Sequence, residues 1–116
     1  MPTTPLIQLL QGYLKVASDR QQTVSANIAN VDTPGFHTKD VDFQAALRRA
    51  VGDDTGARLQ PISTDVQGLP ERPDGNNVNI DRESMMLAET QLQYQMGVQL
   101  IKAEFHRLLI AIKEGN

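Results

Sequence analysis

Leu87, Tyr94, Ile101 and Leu108 recur at every seventh residue, and Gln91, Val98, Phe105 and Ile112 repeat that interval at the companion position. Residues spaced in this way share one face of an α-helix, and a mainly apolar face needs a partner helix to cover it. A second line on the same segment, Leu92, Met96 and Leu100, lies on a different side. One line serves a simple helical hairpin. Two lines call for contact from more than one direction. Towards the N-terminus, Leu10, Ala17, Val24 and Val31 also recur at sevens. Leu6 and Tyr13 occupy the matching offset, with Ile7, Leu14 and Ile28 beside them, until Arg20 and Asn27 continue it with polar groups. The pattern predicts an all-α fold in which two long terminal helices, at about 4–31 and about 81–113, pair as an antiparallel coiled-coil-like hairpin.

The polar stretch SDRQQTVS in the first helix has weak helix propensity, so packing rather than propensity must hold that helix together. For the second helix, Asp81 is a suitable N-cap and Glu83 complements the helix dipole, while Lys113 and Gly115 suit the C-terminal end.

Between the helices lies a middle segment at about 32–80 with little periodicity. Phe43, Leu47 and Ala50 mark one short amphipathic helix. The following stretch, GDDTGARLQPISTDVQGLPERPDGNN, is rich in Gly, Pro and Asp, and four of the six prolines fall between Pro34 and Pro73. Such a composition buries too little apolar area to offset its ordering entropy, so the middle is expected to be largely mobile. NNVNI alternates polar and apolar residues and suits a short extended piece leading into the last helix.

With 116 residues the chain is the size of a single domain, 1–116. Its apolar fraction of 40% is concentrated in the helical segments, and two helices alone would leave apolar positions wet. Each large aliphatic side chain withdrawn from water contributes roughly 1.5–3 kcal/mol. A monomer marginal by itself and completed by neighbours, an assembly subunit, is the expected outcome.

The net charge of −3 supplies no basic field for nucleic acid or an anionic membrane. There is no cysteine, and hence no disulfide or thiolate chemistry. No apolar run approaches the roughly 20 residues of a membrane span, and the first residues lack the pattern of a cleaved signal. Asp74-Gly-Asn-Asn-Val-Asn-Ile-Asp fails as an EF-hand loop, because its fifth and sixth residues are Val78 and Asn79. The two histidines, His37 and His106, have no metal-binding spacing, and no nucleophile, dinucleotide or phosphate-loop motif occurs. No catalytic, cofactor-binding or metal residue is expected, nor any small-molecule substrate. Met85, Met86 and Met96 suit ordinary helix packing, with adaptable partner contact as the alternative.

In SANIANVDTPGF, Asn27 and Asn30 lie one turn apart at the end of the first helix. Thr33 before Pro34 is pushed to an extended conformation, and Pro34-Gly35 fits the centre of a type II turn. The plainer reading is helix termination. The sharper one is that the seam residue Asn27 fixes packing register while Thr-Pro-Gly aims the following chain.

These residues carry a resemblance. Asn27, Ile28, Ala29, Asn30, Thr33, Pro34, Gly35 and Phe36 resemble the signature of the flagellar rod and hook family of axial proteins. Ala26 and His37 depart from it, standing where the family often has Asn and a basic residue. The similarity continues through HTKDVDFQAAL and resumes at PDGNNVNIDRESMMLAETQLQYQMGVQLI, a combination that is similar to the proximal-rod members. The resemblance implies a structural subunit of the proximal rod, self-assembling through its terminal helices into the helical tubular shaft that transmits motor torque across the periplasm. The stripe Leu87, Tyr94, Val98, Ile101, Phe105, Leu108 and Ile112 would then be an assembly surface. Implied partners are other rod subunits, the small basal-body adaptor protein FliE, and the MS-ring and export-gate components. The chain would leave the cytoplasm unfolded through the flagellar type III export apparatus and reside in the basal body. Phe43 and Leu47 fit the Phe-x-x-x-hydrophobic export-gate pattern of the family's early substrates.

Alternatives are a soluble helical adaptor or chaperone, which would form a discrete oligomer, and an enzyme, which would need a pocket that this pattern does not supply. Another proximal-rod subtype of the same family is the nearest alternative.

Overall fold

The computed structural model describes residues 4–52 and 63–115, without the side chains of residues 47 and 49–52. Helix α1 spans Pro5–Ala29, strand β1 Lys39–Val41, helix α2 Phe43–Gly52, strand β2 Ser63–Asp65 and helix α3 Ile80–Glu114. The two terminal helices pack against each other as the sequence pattern predicts, and α1 also carries α2 and β1. The molecule is elongated, 69 × 29 × 18 Å.

Local chemistry sets the helix ends. Thr4 Oγ1 accepts the Ile7 N–H at 3.1 Å and Pro5 occupies the first turn, where a missing N–H costs nothing. The α1 C-cap is Asn30, whose N–H donates to the Ala26 and Asn27 carbonyls, both at 3.1 Å. Asp42 starts α2, its Oδ1 accepting the Ala45 N–H at 3.1 Å. The N-cap of α3 is Asn79, not the expected Asp81: Asn79 is extended and its Oδ1 accepts the Arg82 N–H at 3.0 Å. Asp81 lies inside the first turn with Glu83, where both carboxylates complement the dipole. The cap fell two residues earlier because Asn and Asp are equally good caps and the chain is already extended at Asn79.

The helices run antiparallel: Asn27 meets Glu83, Arg20 meets Glu89, and Tyr13 and Leu14 flank Gly97. At 35 residues against 25, α3 is the longer by roughly 15 Å at 1.5 Å per residue. Leu6 and Leu10 share a groove with Leu100, Ala103, Glu104 and Arg107, so the last turns of α3 run past Pro5.

Strands β1 and β2 pair antiparallel, Lys39 opposite Asp65 and Val41 opposite Ser63. A lone two-stranded ribbon is barely stable in water. This one is pinned to α1 by Val41, buried with Val16 and Ala46 and flanked by Phe43, whose ring meets Tyr13 edge-on at 5.3 Å. Residues 63–79, read from composition as part of a largely mobile middle, thus carry a strand and a tight loop. Composition reports apolar area alone, whereas hydrogen bonding fixes this segment; residues 53–62 lie outside the described structure.

Candidate functional site

Asn27 is buried at the middle of a polar seam. Its Nδ2 donates to the Lys39 carbonyl at 2.7 Å, and its Oδ1 accepts the Lys39 N–H at 3.1 Å. The carboxamide therefore pairs with one residue of β1 as a neighbouring strand would, which needs a donor and an acceptor on one short side chain. Nδ2 also donates to Glu83 Oε1 on α3. Asn27 thus joins α1, β1 and α3 at a single point.

The buried Glu83 carboxylate is charge-paired by Arg82, Nη1 to Oε2 at 2.6 Å. Arg82 also approaches Asp40 at 3.6 Å, and Arg20 Nε reaches Asp40 Oδ1 at 3.2 Å. Arg20 continues to Glu89 at 3.5 Å and to the Met86 sulfur at 3.2 Å. Charges alternate along this chain, from the buried Glu83 to the half-exposed Glu89, so each lies beside an opposite one. Such a network contributes register rather than large net stability. The polar break that Arg20 and Asn27 make in the N-terminal seam is answered by polar groups on α3.

The line of α3 buried against α1 is Glu83, Thr90, Gly97 and Glu104. These residues are spaced by sevens, but the signal was overlooked because the periodicity was sought among apolar residues. The expected stripe flanks that line: Leu87, Val98, Ile101, Phe105 and Leu108 are half-buried, while Tyr94 and Ile112 are exposed. Gly97 occupies its place in the deepest line because Tyr13 and Leu14 fill the space that a larger side chain there would need. A Cβ on Gly97 would lie 2.7 Å from Leu14 Cδ2 and 2.9 Å from Tyr13 Cδ1.

The signature residues gather at the end of α1. Ile28 and Ala29 complete its last turn. Asn30 Nδ2 donates back to the Ala26 carbonyl at 2.7 Å, and its Oδ1 accepts the Thr33 hydroxyl at 3.0 Å. The Phe36 N–H donates to the Thr33 carbonyl at 3.2 Å and Gly35 has φ +75°, as a type II turn across Pro34-Gly35 demands.

A second segment grips this turn. In Arg72-Pro73-Asp74-Gly75-Asn76 the Gly75 N–H donates to the Arg72 carbonyl at 2.8 Å, and the Arg72 N–H to the Asn76 carbonyl at 2.8 Å. Gly75, at φ +84°, closes the loop, and a Cβ there would meet Gly35 Cα at 3.3 Å, so the two loops touch backbone to backbone. Asn76 is fully buried; its Nδ2 donates to the carbonyls of Asn30 at 2.9 Å and Thr33 at 2.8 Å. Its Oδ1 accepts from the Val78 N–H at 2.8 Å and from Arg72 Nη2 at 2.7 Å. Arg72 also donates to the Val31 and Val78 carbonyls. Asn77 Oδ1 accepts the Thr38 N–H at 2.6 Å, and the Asp74 carbonyl accepts the Gly35 N–H at 2.9 Å. The Asp-Gly-Asn-Asn-Val block is visible in the sequence, but its place against the turn is not, because no local pattern reveals contacts some forty residues apart.

The comparisons with known proteins bear on this pairing of segments. The family model described as flagella basal body rod protein matches residues 10–37, the second half of which is the end of α1 and its exit turn. Relatives match over nearly the whole length. The flagellar basal body rod protein FlgB of Escherichia coli (strain K12) is 30% identical over 95% of this chain and 94% of its own. That of Yersinia enterocolitica is 33% identical over 94% of each. That of Bacillus subtilis (strain 168) is 31% identical over 95% of each. The chain belongs to the FlgB family of flagellar basal body rod proteins. These relatives are named as structural rod proteins rather than enzymes.

On the outer side of α3 the second predicted line stands open. Leu92, Met96 and Leu100 are 58%, 53% and 54% exposed, and with Gln95 and Gln99 they line a shallow groove. From Gln91 to Ile101 the helix carries no charge. Phe43 is half-buried beside Tyr13, while the Leu47 side chain lies outside the described residues. His37 Nε2 sits 3.1 Å from Glu71 Oε1, and among the described residues no cluster could hold a metal ion. No described helix is long and apolar enough to cross a membrane.

Proposed function

We propose that this chain is a structural subunit of the proximal rod of the bacterial flagellar basal body. It assembles through its terminal helices into the tubular shaft that passes motor torque outward. The reading rests on family membership together with one observation: the uncharged outer face of α3 exposes Leu92, Met96 and Leu100 in a line. A solvated helix face normally carries charge, and a contiguous apolar line favours contact with another helix. The stripe from Leu87 to Ile112 and the held turn at Asn27–Phe36 are the surfaces assigned to assembly.

In this reading the subunit meets neighbouring rod subunits, the adaptor FliE and the MS-ring and export-gate region. It reaches them unfolded through the flagellar type III apparatus, with Phe43 and Leu47 as the candidate gate-recognition pair. The polar seam supports that route, because a fold registered by hydrogen bonds rather than a large apolar core is easily opened.

The test is mass spectrometry of purified hook–basal bodies from wild-type and export-disabled cells. Fixed copies of this chain in wild-type particles, with none when export is disabled, are expected. Clean basal bodies without the chain, and the chain left in the cytosol, would overturn the reading.

A further inference from the structure

Several polar groups at the end of α1 and along its exit find partners in residues 72–83. Arg72 and Asn76 take up the carbonyls of Asn30, Val31 and Thr33. Asp74 and Asn77 take up the N–H groups of Gly35 and Thr38, and Glu83 takes up the Asn27 amide. Asn27, Thr38, Asn76 and Glu83 are all buried, so the Asn27–Glu83 and Thr38–Asn77 bonds replace water rather than supplement it. A helix such as α1, with a polar middle and no partner, is marginal by itself.

We propose that residues 72–83 act as a latch on the N-terminal half. Until this segment arrives, the end of α1, the Thr-Pro-Gly turn and β1 stay open; when it docks, they lock in one step. A chain emerging N-terminus first from a ribosome is therefore held short of its folded shape until Glu83 has emerged. The inference stands on the hydrogen bonds and does not depend on the rod reading.

The test uses amides whose own acceptors lie in the N-terminal half. Asn30 N–H donates to Ala26, Phe36 N–H to Thr33, and Lys39 N–H to Asn27. In pulse-labelled hydrogen exchange during refolding of the full chain, these three amides gain protection together with, or after, the Glu83 amide, which donates to Asn79. Protection of the three in an earlier phase overturns the latch. At equilibrium, full-length Asn76→Ala should exchange the same three amides on the order of tenfold faster, with amides 98–101 of α3 changed less than about twofold. Wild-type rates at all three would also overturn it.

Discussion

Asn27 on α1 and Glu83 on α3, fifty-six residues apart in sequence, share a hydrogen bond in the buried seam between the two helices. The bond is directional, and the acceptor is a charged group withdrawn from water beside Arg82. A shift of either helix by one turn would break this bond and leave Glu83 Oε1 without its donor from α1. Removing Asn27 costs more than the bond contributes, because one oxygen of the carboxylate stays buried without its donor even though Arg82 still pairs the other.

Asn27→Ala should therefore lower the unfolding free energy by about 3 kcal/mol, leaving Glu83 Oε1 and both backbone polar groups of Lys39 without their Asn27 partner. Asn27→Asp, nearly the same shape, should lose at least as much by bringing a second carboxylate to Glu83. Urea unfolding of the isolated chain measures both. A loss below about 0.5 kcal/mol for either variant would mean that the seam does not depend on this amide.

Gly97 tests how closely the helices approach. Alanine there gains about 1 kcal/mol of helix propensity but overpacks the site, typically by 1–3 kcal/mol. Leu14 can turn aside, whereas the Tyr13 ring is held by its edge-on contact with Phe43. The expected outcome for Gly97→Ala is a net loss of about 1 kcal/mol, seen as a lower melting temperature. A higher melting temperature would show that propensity wins and that the gap has room.

Met96→Glu separates assembly from folding. The side chain is 53% exposed and touches no polar network, so the change in monomer stability should stay within about 0.5 kcal/mol. In cells the variant should be made at normal levels yet fail to enter basal bodies, with swimming lost. Normal motility would exclude this face of α3 from any essential contact.

The response to acid and base differs by site. Hydrogen bonding and charge from Lys39 hold the exposed Asp65 carboxyl below its ordinary value of 3.8. A lowered folded pKa means that the ionised form is favoured, so the strand cross-link persists above pH 3.8 and is lost as pH falls below it. Burial pushes the Tyr13 hydroxyl above its ordinary value of 10.0. Its contribution is complete below pH 10.0 and is lost as pH rises beyond it. Side-chain NMR titration of Asp65, and the ultraviolet titration of tyrosinate set against far-ultraviolet melting, read the two ends. In a Tyr94→Phe chain, where Tyr13 is the one remaining tyrosine, a tyrosinate midpoint below pH 10.0 would reverse the second expectation.

The sequence by itself determined the helices. Sevenfold spacing, Thr4 and Pro5 at one end and Lys113 at the other are local signals, and local geometry answers them within a turn or two. The type II turn at Pro34-Gly35 is local as well, since one residue with positive φ and one with fixed φ define it. The open line Leu92–Met96–Leu100 was equally legible, because a second apolar face on one helix has nowhere to go inside a two-helix hairpin. Only the tertiary structure decided which α3 residues face α1. The deepest line is Glu83, Thr90, Gly97 and Glu104, with Gly97 set by the volume of Tyr13 and Leu14 and Glu83 by the hydrogen-bonding needs of Asn27, and no hydropathy pattern marks it. Only the tertiary structure brought Arg72, Asn76 and Asn77 onto the end of α1. The chain between them supplies no periodic signal, and a hydrogen bond has no preferred separation in sequence: what matters is that a buried carbonyl finds a donor wherever the fold can place one.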